Sequence, residues 1–151
     1  MTNQEPARSR EQRKQDVLDH LENDKDAWVS TASADGVPTL VPLSFVWHRG
    51  TLLMATRRTN PTAVNVTPSG HARIAVGHTR DVVLIEATAE VVEGSDLATD
   101  SGDAFAAKLH WDLRGRSAWV YLRFTPYAVK AWREENELAG RELMTEGRWL
   151  D

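Results

Sequence analysis

Two adjacent arginines, Arg57 and Arg58, stand in the stretch MATRRTNPTAVN, directly before a predicted helix start. A helix N-terminus already carries partial positive charge, so cations beside it cost electrostatic energy unless an anion neutralises them. Helix N-termini also bind phosphate through free backbone N–H groups, and arginine grips phosphate with two parallel hydrogen bonds. Thr56, Thr59 and Thr62 add hydroxyl donors. The residues predict either a phosphate site or two solvated arginines on an exposed turn.

A second candidate is the stretch VPLSFVWH, which belongs to a predicted strand containing Pro38 and Pro42. Because proline cannot donate to a β-ladder, this strand must be interrupted, bulged or at a sheet edge. Unpaired backbone groups there could meet the polar edge of a flat heterocycle. The candidate contacts are Pro42, Leu43, Ser44 and Phe45. A kinked edge strand without a ligand explains the same pattern.

A third candidate is the turn GHTRDVV, in which His78 and Arg80 flank a threonine. These side chains suit either contact with an anionic ligand or an ordinary polar hairpin turn. No metal site is expected, because the chain has no Cys and its five His lack ligand spacing. Glycine-rich phosphate loops and a nucleophile elbow are also missing from the sequence, so no catalytic side chain can be assigned.

Composition limits the class of protein. The chain has 151 residues, a formal net charge of −4 and a pI of about 5.7. We therefore expect one compact unit and no general nucleic-acid binding, which usually requires a basic face. The polar N-terminus and the lack of a long apolar run predict a soluble, cytoplasmic protein without a membrane span.

The elements that position these residues form a mainly β pattern. Apolar spacing predicts an N-terminal helical segment within residues 1–25 and a β domain with a C-terminal tail over residues 26–151, which contains all three candidate ligand sites. Antiparallel strands of this number favour a barrel with flanking helices. The tail carries five large apolar residues, so we expect it to pack on the domain or on a partner. The predicted helices are 7–23, one starting at 59–61, and 103–109; the predicted strands are 28–32, 37–47, 51–56, 71–77, 81–92 and 118–125, with 127–132 continuing the last.

Three stretches carry a resemblance to a known family. They are WVSTASADGVPTLVPLSFVW, then LLMATRRTNPTAVNV with GHARIAVGHTRDVVLIEATAEVV, and the tail AWREENELAGRELMTEGRWL. In order and spacing the chain resembles the pyridoxamine 5′-phosphate oxidase-like split β-barrel superfamily, and more narrowly the actinobacterial flavin/deazaflavin oxidoreductases. The resemblance implies a six- to seven-stranded antiparallel split β-barrel and a homodimer with cofactor sites at the interface. It also implies FMN or the F-420 type deazaflavin coenzyme, and hydride transfer to a flat conjugated small molecule.

The resemblance also implies roles for particular residues. The turn of residues 56–62 would hold the cofactor phosphate, and residues 42–45 would lie along the ring. Many relatives place a lysine three residues before the helix asparagine, here Asn65, whereas this chain has Thr62. Trp111, Trp132 and Trp149 are the expected contributions to the partner's site. The alternative function is non-catalytic binding of a flavin, haem or another tetrapyrrole.

Overall fold

The computed structural model describes residues 5–151, in which three helices flank one antiparallel sheet. The helices are α1 (Arg10–Asn23), α2 (Pro61–Ser69) and α3 (Thr99–Leu109). The strands are β1 (Asp26–Ala32), β2 (Pro38–Ser44), β3 (Val46–His48), β4 (Thr51–Arg57), β5 (His71–Val76), β6 (Val82–Val92), β7 (Trp119–Trp132), β8 (Glu142–Thr145) and β9 (Arg148–Trp149). The predicted mainly β, α+β class with flanking helices is confirmed.

The strands pair in the order β2-β1-β5-β6-β7-β4-β3, and the β8–β9 hairpin adds to β7. β2 and β3 lie at opposite ends of this order, so the sheet is not closed. A single residue, Phe45, separates the two strands in sequence. At Phe45 the chain therefore leaves the strand at one edge of the sheet and enters the strand at the opposite edge. The barrel is split between these two edge strands.

The predicted strand 37–47, expected to be interrupted, bulged or at a sheet edge, is interrupted and forms the edge strands β2 and β3. The break falls at Phe45, whose amide donates to the carbonyl of Lys25, and not at Pro38 or Pro42. The strand after residue 118 is continuous through Pro126 in β7. It accommodates the proline by a register shift, since Ala87 pairs with Pro126 and Glu86 with Ala128, which leaves Tyr127 as an extra residue.

Two helices begin at other residues than predicted. α1 begins at Arg10, three residues late, because the Ser9 hydroxyl accepts a hydrogen bond from the amide of Gln12 and caps the helix. α3 begins at Thr99, four residues early. Arg114 lies against its first turn, and a Cβ on Gly102 would come within 2.8 Å of the Arg114 guanidinium. This contact comes from a distant loop and has no local sequence signal.

The core lies between the sheet and the helices α1 and α2, and the C-terminal segment packs on it. Leu143 and Met144 of β8 are buried in the same cluster as Val17 and Leu21 of α1. Within residues 5–151, no helix is both long and apolar enough to cross a membrane.

Candidate functional site

The turn between β4 and α2 is built by local hydrogen bonds. The amide of Asn60 donates to the Arg57 carbonyl at 3.0 Å, and the Asn60 side chain donates to Oγ1 of Thr56 at 2.8 Å. Asn60 occupies the N-cap position of α2, yet its side chain does not cap the helix. Pro61 at the first helical position has no N–H to satisfy. The next amides of α2 are therefore the uncapped positive end of the helix.

Arg57 is held beside this helix end without a counter-charge. Its guanidinium lies 5.1 Å from the ring centre of Trp119, which is also its pairing partner between β4 and β7. Trp111 meets Trp119 edge-on at 5.0 Å and supports it. In the part of the chain that the structure describes, no carboxylate lies within 4.0 Å of Arg57. A cation held in place but not neutralised suits an anionic ligand.

Arg58 is in a different environment from its neighbour. Its guanidinium forms a two-pronged ion pair with Glu93 and donates to the carbonyl of Ser117 at 3.0 Å. The hydrogen bonds from Arg58 lower the pKa of Glu93. Both side chains are exposed, so the pair adds little stability. Its main effect at the turn is that the Glu93 charge is neutralised.

The threonines of the turn differ in exposure. Thr59 is exposed, whereas Thr56 and Thr62 are buried, Thr62 with only 2% of its surface accessible. Asn65, one turn further along α2, donates to Oγ1 of Thr31 on β1 at 3.2 Å. These buried contacts fix the N-terminus of α2 against β1, and α2 also contacts β2 and β4. The helix α2, which begins at the predicted phosphate turn, therefore packs beside β2.

Within residues 5–151, β2 pairs only with β1, so one set of its backbone groups lies along a free edge. Hydrogen bonds join Val37 to Ser33 and Phe45 to Lys25, so the odd-numbered residues face β1. The amides and carbonyls of the even-numbered residues, which include Pro42 and Ser44, point away from β1. The two prolines of β2 are both even-numbered, so neither removes a ladder hydrogen bond. The free edge keeps carbonyl acceptors and the amides of Leu40 and Ser44.

The side chains predicted to line the ring divide between two faces of β2. Pro42 points to solvent, and Ser44 donates to Asp26 at 2.6 Å. Leu43 packs against the core, and Phe45 is fully buried with the Lys108 ammonium 4.3 Å from its ring centre. Phe45 therefore has no accessible surface to offer a ligand in this chain, and its amide already donates to Lys25.

The turn with His78 and Arg80 is far from the phosphate turn within one chain. It lies at the N-terminal end of β6, whereas Arg57 pairs with Trp119, beyond the C-terminal end of β6. The eleven residues of β6 separate the two turns by about 35 Å. Arg80 forms an ion pair with Glu134 at 3.0 Å, and His78 accepts a hydrogen bond from the Arg80 amide.

Sequence reasoning missed Glu93 and the contact of Arg57 with Trp119. Glu93 is 35 residues from Arg58, and the pairing of β4 with β7 fixes which side chain lies under Arg57. Neither relation leaves a local pattern. The other two tryptophans predicted for the partner's site have different neighbours. Trp132 lies near the Arg141 guanidinium, and Trp149 lies under the Lys14 ammonium.

A protein-family comparison matches residues 14–133 to the pyridoxamine 5′-phosphate oxidase model. The chain belongs to the pyridoxamine 5′-phosphate oxidase family. This membership confirms the resemblance stated from the sequence. A search of curated proteins finds no significant match.

Several solved structures share this fold. General Stress Protein 26 from Bacillus anthracis has a TM-score of 0.61 at 16% identity, over 81% of this chain and 95% of that one. An F420 reductase has a TM-score of 0.59 at 16% identity, over 74% and 93%. Campylobacter jejuni ChuZ has a TM-score of 0.71 at 9% identity, over 95% and 66%. At these identities the likeness concerns the fold alone.

Proposed function

We propose that this protein binds a flavin or deazaflavin cofactor, FMN or the F-420 type coenzyme, with its phosphate on the turn of residues 56–62. The observation that carries the proposal is the un-neutralised Arg57 guanidinium beside the uncapped N-terminus of α2. The groups at this turn are N–H and O–H donors, and Arg58 neutralises the carboxylate of Glu93. Such a donor set fits a phosphate or phosphodiester.

The proposed activity is that of an oxidoreductase acting on a flat conjugated small molecule. The bound cofactor would supply hydride transfer, and the protein would bind and orient it. Arg57 and the helix amides would hold the anionic end. The free edge of β2, with its carbonyl acceptors and the amides of Leu40 and Ser44, would orient the polar edge of the ring. The similarity to an F420 reductase supports a cofactor of this type.

Thr62 bears on the choice between the two cofactors. Where many relatives carry a lysine that meets the phosphate, this chain has a buried threonine. The positive charge at the turn then comes from Arg57 and the helix end, since Arg58 is paired with Glu93. A site for a single phosphate group suits both FMN and the deazaflavin coenzyme, so both are proposed.

A second candidate function is non-catalytic binding of a flavin, haem or another tetrapyrrole. It is favoured by the ion pair of Glu93, the carboxylate that Arg58 holds beside the turn. Because Arg58 holds both of its oxygens, Glu93 is not available as a proton donor or acceptor.

The partner is also proposed. A second copy of the chain would complete the cofactor site, because in one copy the free edge of β2 would bound the cofactor ring on one side only. Trp111 supports Trp119 beside Arg57 of the same chain, so of the three tryptophans expected in the partner's site it lies instead at its own chain's turn.

Titration of the purified protein with FMN, the deazaflavin coenzyme and haem tests the proposal. We expect saturable binding of FMN or deazaflavin at micromolar concentration, measured by fluorescence and by absorbance between 350 and 500 nm. Subsequent turnover of a reduced, bound cofactor with quinone or nitro substrates distinguishes the oxidoreductase from a non-catalytic binder. Binding of haem alone would support the second candidate, and binding of none would overturn both.

A further inference from the structure

Lys108, in the last turn of α3, is a partly buried cation whose neighbours are an aromatic ring and a backbone carbonyl. Its ammonium lies 4.3 Å from the ring centre of Phe45 and donates to the carbonyl of Asp24 at 2.6 Å. Within residues 5–151, no carboxylate oxygen comes within 4.0 Å of this ammonium. Burial lowers the pKa of Lys108, although Glu22, Asp24 and Asp26 act against this through their charges. A cation in such a place is held chiefly by the ring and the carbonyl.

Lys108 contacts both sides of the point where β2 ends. Asp24 is the residue that closes α1, and the carbonyl of the next residue, Lys25, accepts a hydrogen bond from the Phe45 amide at 2.9 Å. Phe45 separates β2 from β3. The Lys108 ammonium therefore lies against one group on each side of the Lys25–Phe45 hydrogen bond, and it joins them to α3.

The residue before Phe45, Ser44, carries the free amide nearest to this point. Ser44 is paired with Asp26 in the last register position of β1 and β2. The other free amide of the β2 edge belongs to Leu40, which is paired with Ser30 within the ladder and is fixed by pairs on both sides. At Ser44 the ladder ends, so the direction of its N–H depends on the position of Phe45.

We propose that Lys108 is a positioning residue for the cofactor ring. By holding Phe45 between α3 and the end of α1, it fixes the direction in which the Ser44 amide donates along the free edge of β2. The inference rests on the proposed function, in which this edge orients the polar edge of the ring. Arg57 would then act on the phosphate and Lys108 on the ring, so their substitutions would affect different parts of one ligand.

Titration of Lys108→Met with two forms of one chromophore tests the assignment. The forms are FMN and riboflavin, or the deazaflavin coenzyme and its phosphate-free chromophore, whichever pair wild type binds. Methionine keeps the apolar stem but loses the charge and the donors. We expect both forms to bind about fivefold more weakly, as for the loss of one neutral hydrogen bond, and Lys108→Arg to restore most of the affinity. Unchanged affinity, or a loss confined to the phosphorylated form, would overturn the proposal.

Lys14→Met is the matched control, because the Lys14 ammonium lies 5.3 Å from the ring centre of Trp149. This variant also loses a contact between a lysine and an aromatic ring, and it should bind both forms as wild type does. The visible absorption spectrum of the bound chromophore depends on hydrogen bonds to the ring. It should change in Lys108→Met and stay that of wild type in Lys14→Met. An identical weakening in both variants would indicate a general effect of stability and overturn the positioning role.

Amide hydrogen exchange of the protein without cofactor keeps this inference separate from the proposed function. In Lys108→Met the Phe45 amide should exchange faster than in wild type, whereas the Val41 amide, within the β1–β2 ladder, should keep its rate. A wild-type exchange rate at Phe45 would overturn the inference even if the affinity fell. Faster exchange in a protein that binds neither cofactor would show that the proposed function fails while Lys108 still fixes Phe45.

Discussion

Arg57 and Arg58 are adjacent in sequence, but their guanidinium groups have different roles in the structure. Trp119 orients Arg57 without neutralising it, whereas Glu93 neutralises Arg58. The sequence predicted a concentration of positive charge before a helix. It did not predict which arginine stays available, because that depends on one strand pairing and one ion pair between distant residues.

Arg58→Ala tests whether Arg58 acts through Glu93. The substitution leaves an uncompensated carboxylate beside the phosphate turn, so we expect cofactor affinity to fall about tenfold, equivalent to about 1.4 kcal/mol. The double variant Arg58→Ala/Glu93→Gln should recover most of the affinity, measured by fluorescence titration. A double variant as weak as Arg58→Ala would contradict this role and indicate direct contact between Arg58 and the phosphate.

At the scale of elements, the sequence predicted the edge position of β2 but not the residue at which the strand ends. Pro38 and Pro42 correctly indicated an edge strand, because proline is tolerated only where no ladder hydrogen bond is lost. The break at Phe45 was not predictable, since it depends on which end of the sheet β3 joins. The side chains assigned to the ring were likewise predicted as a run, whereas alternation along β2 turns Leu43 towards the core, and Phe45, directly after the strand, is fully buried.

α1 is attached to the β5–β6 turn through His20, which we expect to depend on pH. Its Nδ1 lies 2.8 Å from Asp24 and its Nε2 2.9 Å from Asp81, so only the doubly protonated ring can donate both bonds. Asp81 also accepts from Arg133, which in turn lies 3.5 Å from Asp16. Burial opposes the charged ring, but the hydrogen bonds to Asp81 and Asp24 outweigh it and raise the pKa of His20.

Because the folded pKa of His20 is raised, its stabilisation is complete below the ordinary value of 6.5 and is lost as pH rises through the folded pKa. Thermal melts of wild type and His20→Gln should therefore differ most in mildly acidic buffer and converge at alkaline pH. His78→Gln, in the same turn but exposed, is the control. A difference that stays constant from acidic to alkaline pH would contradict the His20 mechanism.

At the scale of the whole molecule, the order of helices and strands was predictable from the sequence. The contacts that join the N-terminal segment to the C-terminal segment were not. Arg8 donates to Glu137 at 2.7 Å, and the buried Arg13 donates to the carbonyl of Glu137 at 2.9 Å. These contacts join residues more than 120 positions apart, so no local pattern reports them. They hold the C-terminal segment on the domain, as its apolar residues had indicated.

Glu137→Gln tests this fastening. The carboxylate is buried and hydrogen-bonded by Arg8, which lowers its pKa from 4.5 to about 2. Breaking a buried ion pair leaves an uncompensated charge, so we expect a loss of about 3 kcal/mol in the free energy of unfolding. Because the folded pKa is depressed, the wild-type advantage should be present above pH 4.5 and disappear as pH falls towards 2.

Urea denaturation measures this change. Glu135→Gln, an exposed carboxylate in the same 3₁₀ turn, Glu135–Glu137, serves as the matched control and should remain within about 0.5 kcal/mol of wild type. Equal stability of Glu137→Gln and Glu135→Gln at neutral pH would show that the Arg8–Glu137 ion pair does not hold the N- and C-terminal segments together.

Whether Arg57 holds the cofactor phosphate is decided by comparing ligands with and without that phosphate. Wild type and Arg57→Ala are each titrated with the bound chromophore in its phosphorylated and phosphate-free forms, FMN and riboflavin in the flavin case. Arg49→Ala, in the β3–β4 turn, is the control. We expect Arg57→Ala to weaken FMN binding by roughly ten- to hundredfold, from the loss of a charge-assisted contact of about 1.5–3 kcal/mol, and to leave riboflavin binding unchanged. Equal losses for both ligands, or no loss for FMN, would contradict it.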